Sequence, residues 1–184
     1  MIQRIQSVYL VLSFCAMVIC FMFPVATFEA TGERGQKVES QLFLISKGQD
    51  HEQNLLKDIE SGEAQITMPQ EGYIHSWPLA AVGGLCGAIA LVSIFLYRNR
   101  MRQVRVVACG FLLNVIYLFL TFIWLVDSYE EQFARFAEKF QCVETSPTYS
   151  VATWASVASL VCFFLAQRAI KRDEAKVRAA DRIR

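Results

Sequence analysis

Four apolar stretches of about twenty residues dominate the sequence. They cover residues 8–28, 77–97, 104–126 and 149–167, and the only charged side chain within them is Arg105, at one edge of the third. A helix of ~20 residues crosses the ~30 Å hydrocarbon core of a bilayer. Four transmembrane helices are therefore predicted. With only 19% charged residues, a soluble globule, a disordered chain and a secreted disulfide scaffold are all excluded.

The first and fourth stretches leave more room for alternatives than the other two. Arg4 precedes the first stretch and Ala26 and Ala30 follow it, as in a cleaved signal peptide. Pro24 or Phe28 would then occupy a position of the cleavage site that requires a small residue, so a membrane span is favoured. The fourth stretch contains the polar residues Thr153, Ser156 and Ser159. Such residues are tolerated if this helix faces neighbouring helices rather than lipid.

The Lys and Arg count of the connecting segments predicts the orientation. Arg4, the turn at residues 98–105 and the tail at residues 168–184 together carry twelve basic residues, whereas the segments 29–76 and 127–148 carry six beside fourteen acids. Basic segments stay in the cytoplasm. Both termini and the 98–105 turn are therefore expected to be cytoplasmic. The aromatic belt at the outer interface then contains all three tryptophans: Trp77, Trp124 and Trp154.

The two outer segments show local patterns of their own. Lys37–Ser46 contains the apolar run Leu42–Ile45 and residues 65–68 resemble a second strand, while Asp50 to Gly62 reads as a short capped helix. Residues 29–76 are thus predicted to form a small cap. Residues 128–141 carry an amphipathic stripe, which predicts either a continuation of the third helix or a helix on the membrane surface. That stripe comprises Phe133, Phe136, Ala137 and Phe140.

Small and polar residues mark the predicted contact faces of the second and third helices. Gly83 and Gly87 form a G-x-x-x-G pair, with Ala80, Gly84 and Ala88 repeating the spacing beside it. Such a face indicates a helix contact, either within the bundle or between copies. On the third helix one face carries Gly110, Asn114, Tyr117, Thr121 and Trp124. Interhelical hydrogen bonding is the favoured use of Asn114 over ligand binding.

The cytoplasmic side carries the candidate contacts to lipid headgroups or to a partner. Glu174 and Arg178 form an i, i+4 pair and no Gly or Pro interrupts residues 168–184, so the fourth helix is expected to continue into the cytoplasm. Anionic headgroups would explain the basic excess, and nothing indicates nucleic-acid binding. The candidate residues are Arg98, Arg100, Arg102, Arg105, Arg172, Asp173, Glu174, Arg178, Asp181 and Arg182.

Few residues in the chain could carry chemistry. Five of the six cysteines lie in the predicted spans and no C-x-x-C occurs, which disfavours disulfide exchange. His51 and His75 lack metal-ligand spacing. No Asp, Glu, Lys or His lies in the interior of a span, which argues against proton-coupled transport. No catalytic residue, metal site or cofactor is therefore predicted.

Three segments carry a family resemblance that covers the whole chain: Met1–Leu12 (MIQRIQSVYLVL), Phe95–Arg100 (FLYRNR) and Arg168–Arg184 (RAIKRDEAKVRAADRIR). The chain resembles domain-of-unknown-function family forty-two ninety-three, which comprises small four-span bacterial membrane proteins. The resemblance implies a multi-pass protein of the inner membrane of Gram-negative bacteria. It implies no activity and no catalytic residues.

These observations predict an all-α membrane protein. The expected fold is one integral membrane domain, a four-transmembrane-helix bundle with a small extracytoplasmic strand/helix cap and a cytoplasmic C-terminal helical extension. The expected function is non-enzymatic, an accessory or scaffold subunit that contacts membrane lipids and either a membrane-protein partner or further copies of itself. The alternative is a lipid- or small-molecule-binding protein with an intramembrane cavity near Asn114 and Tyr117.

Overall fold

A computed structural model describes residues 3–32, 37–45, 65–67, 76–96, 99–138 and 142–181. By internal contacts it forms two compact units. Unit 1 contains residues 1–19, 81–118 and 154–184, and unit 2 contains residues 20–80 and 119–153. The elements in chain order are α1 (Gln3–Met22), β1 (Ala26–Gly32), β2 (Lys37–Leu42), β3 (Gln65–Thr67), α2 (Trp77–Phe95), α3 (Arg100–Phe119), a π-helical segment (Leu120–Val126), α4 (Asp127–Glu138), β4 (Cys142–Tyr149) and α5 (Val151–Asp181).

The prediction of four helices long and apolar enough to cross a membrane is confirmed. The candidate spans are Ile5–Met22, Trp77–Phe95, Met101–Arg135 and Val151–Val177. Only 28–33% of each span's most apolar stretch is buried within the protein. Large apolar side chains such as Leu112, Ile116 and Val161 are exposed. These surfaces suit a hydrocarbon environment rather than water.

The first helix ends earlier than the apolar stretch predicts. The helix begins at Gln3 and ends at Met22, whereas the apolar stretch continues to Phe28. Pro24 lacks a backbone N–H and disfavours helical geometry in the residue before it, so the helix ends there. The following residues then form strand β1.

The chain is mostly helical, as predicted, but its strands form a larger sheet than expected, four-stranded with the order β3-β2-β1-β4. β1 pairs antiparallel with both β2 and β4, so that Ala26 lies opposite Leu42 on one side and Tyr149 on the other. β2 and β3 pair in parallel. Strands were expected only near β2 and β3. The helix expected at residues 50–62 lies outside the described residues.

In unit 2 one helix packs on this sheet through aromatic side chains. The ring of Phe28 in β1 lies 5.1 Å from that of Tyr129 and 5.7 Å from that of Phe133, both in α4. The hydroxyl groups of Ser40 and Tyr129 hydrogen bond at 2.5 Å. The helical path is unbroken from Arg100 to Glu138, which selects the continued third helix from the two predicted alternatives. The remainder of the expected 128–141 helix, residues 139–141, lies outside the described residues.

In unit 1 the helices make side-by-side contacts. The backbone of α2 at Gly87 lies against Met17 of α1, and that of α3 at Gly110 lies against Phe163 of α5 and Ile89 of α2. The rings of Phe111 and Phe164 are 6.3 Å apart. α5 continues as one helix through the predicted extension to Asp181.

Candidate functional site

A buried polar cluster joins three helices toward one end of unit 1. The hydroxyl groups of Ser13 in α1 and Ser159 in α5 are 2.8 Å apart. The side-chain amide of Asn114 in α3 donates to Ser159 Oγ at 3.0 Å and approaches Met17 Sδ at 3.8 Å. The side chains of Ser13, Asn114 and Ser159 are completely buried. These bonds fix the register of three helices where lipid offers no alternative partner.

The hydrogen bonding of Asn114 is incomplete. Its Oδ1 atom is buried and has no hydrogen-bond partner in the described part of the protein. A buried polar atom without a partner costs ~1–3 kcal/mol. The unpaired Oδ1 atom indicates either that the fold tolerates this free-energy cost or that the atom accepts a hydrogen bond from a bound molecule.

Apolar side chains separate this cluster from a second polar contact. At the other end of the unit, the amide of Gln6 in α1 donates to the carboxylate of Asp173 in α5. Leu10 lies between Gln6 and Ser13 along α1, and both it and Phe163 belong to a buried apolar cluster. The remaining buried members of that cluster are Ala90, Val107, Ala166 and Ile170. The two polar layers are thus divided by tightly packed apolar residues, an arrangement unsuited to ion conduction.

The glycines predicted at helix contacts differ in how tightly they are enclosed. A Cβ atom at Gly110 would lie 2.7 Å from Phe163 Cε1 and 2.8 Å from Ile89 Cγ2, closer than atoms can approach. A Cβ atom at Gly87 would meet Met17 and Phe14 at an ordinary 3.7 Å. Gly83 is also buried. The close approach of α3 to its neighbours therefore requires Gly110 specifically.

The second row of small residues on α2 has the opposite environment. Of that predicted row, Gly84 and Ala88 are exposed and Ala80 is half-buried, and the neighbouring Ala81 and Leu85 are also exposed. One face of α2 is therefore used inside unit 1, while the adjoining face carries small residues at helical spacing without cover. We call the residues Ala81, Gly84, Leu85 and Ala88 the outer α2 face.

The predicted charged residues are placed unevenly. Arg102, Arg105 and Arg172 are exposed, Glu174 is half-buried, and Asp173 is half-buried against Gln6. The backbones of Arg100, Arg178 and Asp181 are helical. Arg98 and Arg182 lie outside the described residues. The structure thus brings Asp173 into contact with α1 and leaves the neighbouring cations on the surface.

The cysteines and histidines form no recognisable centre in the described residues. Cys15, Cys20, Cys86, Cys109 and Cys162 are free thiols. No group of three His, Cys, Asp or Glu side chains among the residues described could hold a metal ion. Both histidines lie outside the described residues.

Sequence reasoning missed two members of the polar contacts, Gln6 and Ser13. They are seven residues apart and therefore share one face of α1. This spacing was a usable signal, because polar residues on a membrane helix concentrate on the side that faces other helices. The three hydroxyl residues noted in the fourth span, Thr153, Ser156 and Ser159, are all buried.

Comparison with known families gives one match. The model of a domain of unknown function (DUF4293) matches residues 2–183. The chain belongs to this family. The resemblance drawn from the terminal motifs and from Phe95–Arg100 is thereby confirmed, and the DUF4293 match covers both units. No curated protein and no solved structure matches the chain.

Proposed function

We propose that this DUF4293 protein is a non-enzymatic accessory or scaffold subunit of the bacterial inner membrane. The outer α2 face carries this proposal. Helix association in lipid depends on close backbone approach, which small residues permit. The same helix packs against α1 at Gly87 within unit 1, where an added Cβ would lie 3.7 Å from Met17 and from Phe14. The outer α2 face offers the same surface chemistry to a helix from another chain.

The rest of unit 1 supports a scaffold more than a transporter. Its described interior is divided by the apolar cluster around Leu10 and Phe163. Its polar contacts link helices to each other, as in the bond between Asn114 and Ser159. A rigid unit with an uncovered small-residue face is suited to holding a partner helix in a fixed position.

Substituting the outer α2 face should remove the partner. We expect Gly84→Leu combined with Ala88→Leu to lower recovery of a stoichiometric membrane-protein partner, or of a second copy, at least tenfold, since 1.4 kcal/mol of lost packing suffices. The measurement is purification of the tagged full chain in mild detergent, followed by mass determination of the complex. Ala158→Leu is the matched control, because Ala158 is an exposed small residue on α5.

The result for the wild-type chain decides the scaffold proposal. A monomeric wild-type protein without a stoichiometric protein partner would contradict it. The proposal would also be contradicted if the Gly84→Leu/Ala88→Leu variant recovered as much of the complex as the wild type and the Ala158→Leu control.

We propose an orientation with both termini in the cytoplasm, supported by the twelve-to-six distribution of Lys and Arg. A membrane-impermeant maleimide added to spheroplasts should then label Cys142, at the start of β4, and should not label a cysteine introduced by Arg184→Cys. Permeabilisation should expose the second site and serves as the control. External labelling at position 184 would reverse the proposed orientation.

A second function, binding of a small hydrogen-bond donor inside the membrane, is favoured by one observation. Asn114 Oδ1 is buried without a partner among the described residues, and Tyr117 lies one helical turn further along α3 and is also buried. A bound donor would satisfy that oxygen. Extraction of small molecules from the same purified samples tests this function. A compound retained by the wild type should be lost from Asn114→Leu, and the absence of any such compound would exclude this function.

A further inference from the structure

Five exposed cationic side chains lie at one end of unit 1, on two neighbouring helices. Arg102 and Arg105 belong to α3, and Arg168, Lys171 and Arg172 belong to α5. We call these five residues the basic belt.

The packing of α3 on α5 places the two halves of the basic belt at the same depth. Asn114 bonds to Ser159, and four residues earlier on α3 the backbone at Gly110 contacts Phe163, four residues later on α5. The helices are therefore antiparallel and in register. Continuing this register brings Arg105 level with Arg168 and Arg102 level with Lys171.

The depth of the basic belt matches a bilayer surface. Trp154, which is 67% exposed, precedes Arg172 by eighteen residues on α5. At 1.5 Å per residue these positions are ~27 Å apart. Arg168 lies only ~21 Å from Trp154, so its long side chain must extend outward to reach the surface. The basic belt thus lies at the edge of the hydrocarbon core and reaches the headgroups of the opposite leaflet.

The nearest acid is directed away from the basic belt. Asp173 follows Arg172 immediately, yet its carboxylate accepts a hydrogen bond from Gln6 of α1, a residue only 6% exposed. The Asp173 charge is therefore held on the α1 side of α5. This contact accounts for an acid within a basic segment, because the acid serves helix packing while the neighbouring cations remain available.

We propose that the basic belt binds anionic phospholipids by their phosphodiester headgroups, in preference to zwitterionic lipids. Arginine donates paired hydrogen bonds that fit phosphate oxygens, and four of the five residues are arginine. Each cation near an anionic leaflet strengthens the attraction of the protein to that leaflet about fivefold. This lipid contact is separate from the outer α2 face and does not depend on a protein partner.

The test uses the full chain purified into phosphatidylcholine nanodiscs with and without phosphatidylglycerol, and compares the bound lipids by native mass spectrometry. Wild type should retain phosphatidylglycerol preferentially. Arg102→Gln with Arg105→Gln, and separately Arg168→Gln with Arg172→Gln, should each weaken that preference about 25-fold. Arg135→Gln, which removes an exposed cation of α4 paired with Glu131, is the control and should not change it.

Salt dependence of the wild type gives a second measurement if a variant fails to fold. The preference for phosphatidylglycerol should decrease as KCl is raised, because exposed charges are screened. Equal retention of both lipids by the wild type at low salt would overturn the proposal. Loss of a bound acidic protein from the belt variants, without a change in lipid retention, would overturn it in favour of a protein partner.

Discussion

Adding a methyl group at Gly110 should destabilise unit 1 more than adding one at Gly87. We expect Gly110→Ala to lower the free energy of unfolding by ~1–3 kcal/mol, since the new Cβ would overlap the ring of Phe163 and the side chain of Ile89. Phe163 is completely buried, and a close-packed interior leaves its ring little freedom to move aside. Gly110→Leu should prevent recovery of folded protein. Thermal unfolding in detergent measures the first effect and the yield of monodisperse protein measures the second.

Gly87→Ala provides the matched control. Its added Cβ would meet Met17 and Phe14 at 3.7 Å, and alanine is favoured over glycine within a helix by ~0.5–1 kcal/mol. The variant should therefore be as stable as the wild type or slightly more stable. Equal thermal stability of Gly110→Ala and Gly87→Ala would contradict the close approach of α3 to α5.

Truncating Phe28 should release the sheet of unit 2 from α4. Its side chain is completely buried and its ring contacts both Tyr129 and Phe133. Phe→Ala at such a site costs ~3–5 kcal/mol. Hydrogen exchange of the amides of β1 and α4 should accelerate by more than about a hundredfold if local opening carries this loss.

Glu29→Ala is the control, because Glu29 is the next residue of β1 and its side chain is exposed. In the Glu29→Ala variant, the amides of β1 and α4 should exchange at the wild-type rate. If Phe28→Ala leaves exchange in β1 unchanged, the aromatic contacts do not stabilise the sheet. If Glu29→Ala accelerates exchange as strongly as Phe28→Ala, the effect comes from the strand rather than from the aromatic contacts.

The four long helices could be predicted because a membrane span has a simple requirement. An unbroken apolar stretch of sufficient length identifies it, and residues 77–97 became α2 with nearly the same bounds. The extension of α5 was also recognisable, because residues 168–181 lack helix-breaking residues and pair charges at helical spacing. These features are local and depend on composition and period alone.

The sheet could not be predicted in the same way. Residues 26–28 continue an apolar stretch, so hydropathy assigns them to the span although Pro24 ends the helix. β4 contains Pro147 and mostly polar residues, and its place beside β1 depends on pairing with a segment more than a hundred residues away. Strand formation of this kind follows from tertiary contacts rather than from local propensity.

The candidate sites were also predictable only where they depend on local sequence. Asn114 was recognisable as the most polar residue of its span, but its partners come from α1 and α5 and require the packing of three helices. The face expected from Gly110 to Trp124 is buried through Thr121, after which Leu125 is buried and Trp124 is exposed. The π-helical segment Leu120–Val126 has more residues per turn, so a 3.6-residue period cannot predict this change.

The central position of β1 in the sheet sets the order in which unit 2 can fold. Its first neighbour, β2, follows after four residues, whereas its other neighbour ends at Tyr149. At ~5–20 residues per second, ribosomes need about 6–25 s to synthesise the intervening chain. During that time one edge of the β1–β2 hairpin awaits its final strand while the later helices are still being inserted. A nascent chain stalled before β4 therefore presents an unpaired strand edge, the feature through which sheets pair with other strands.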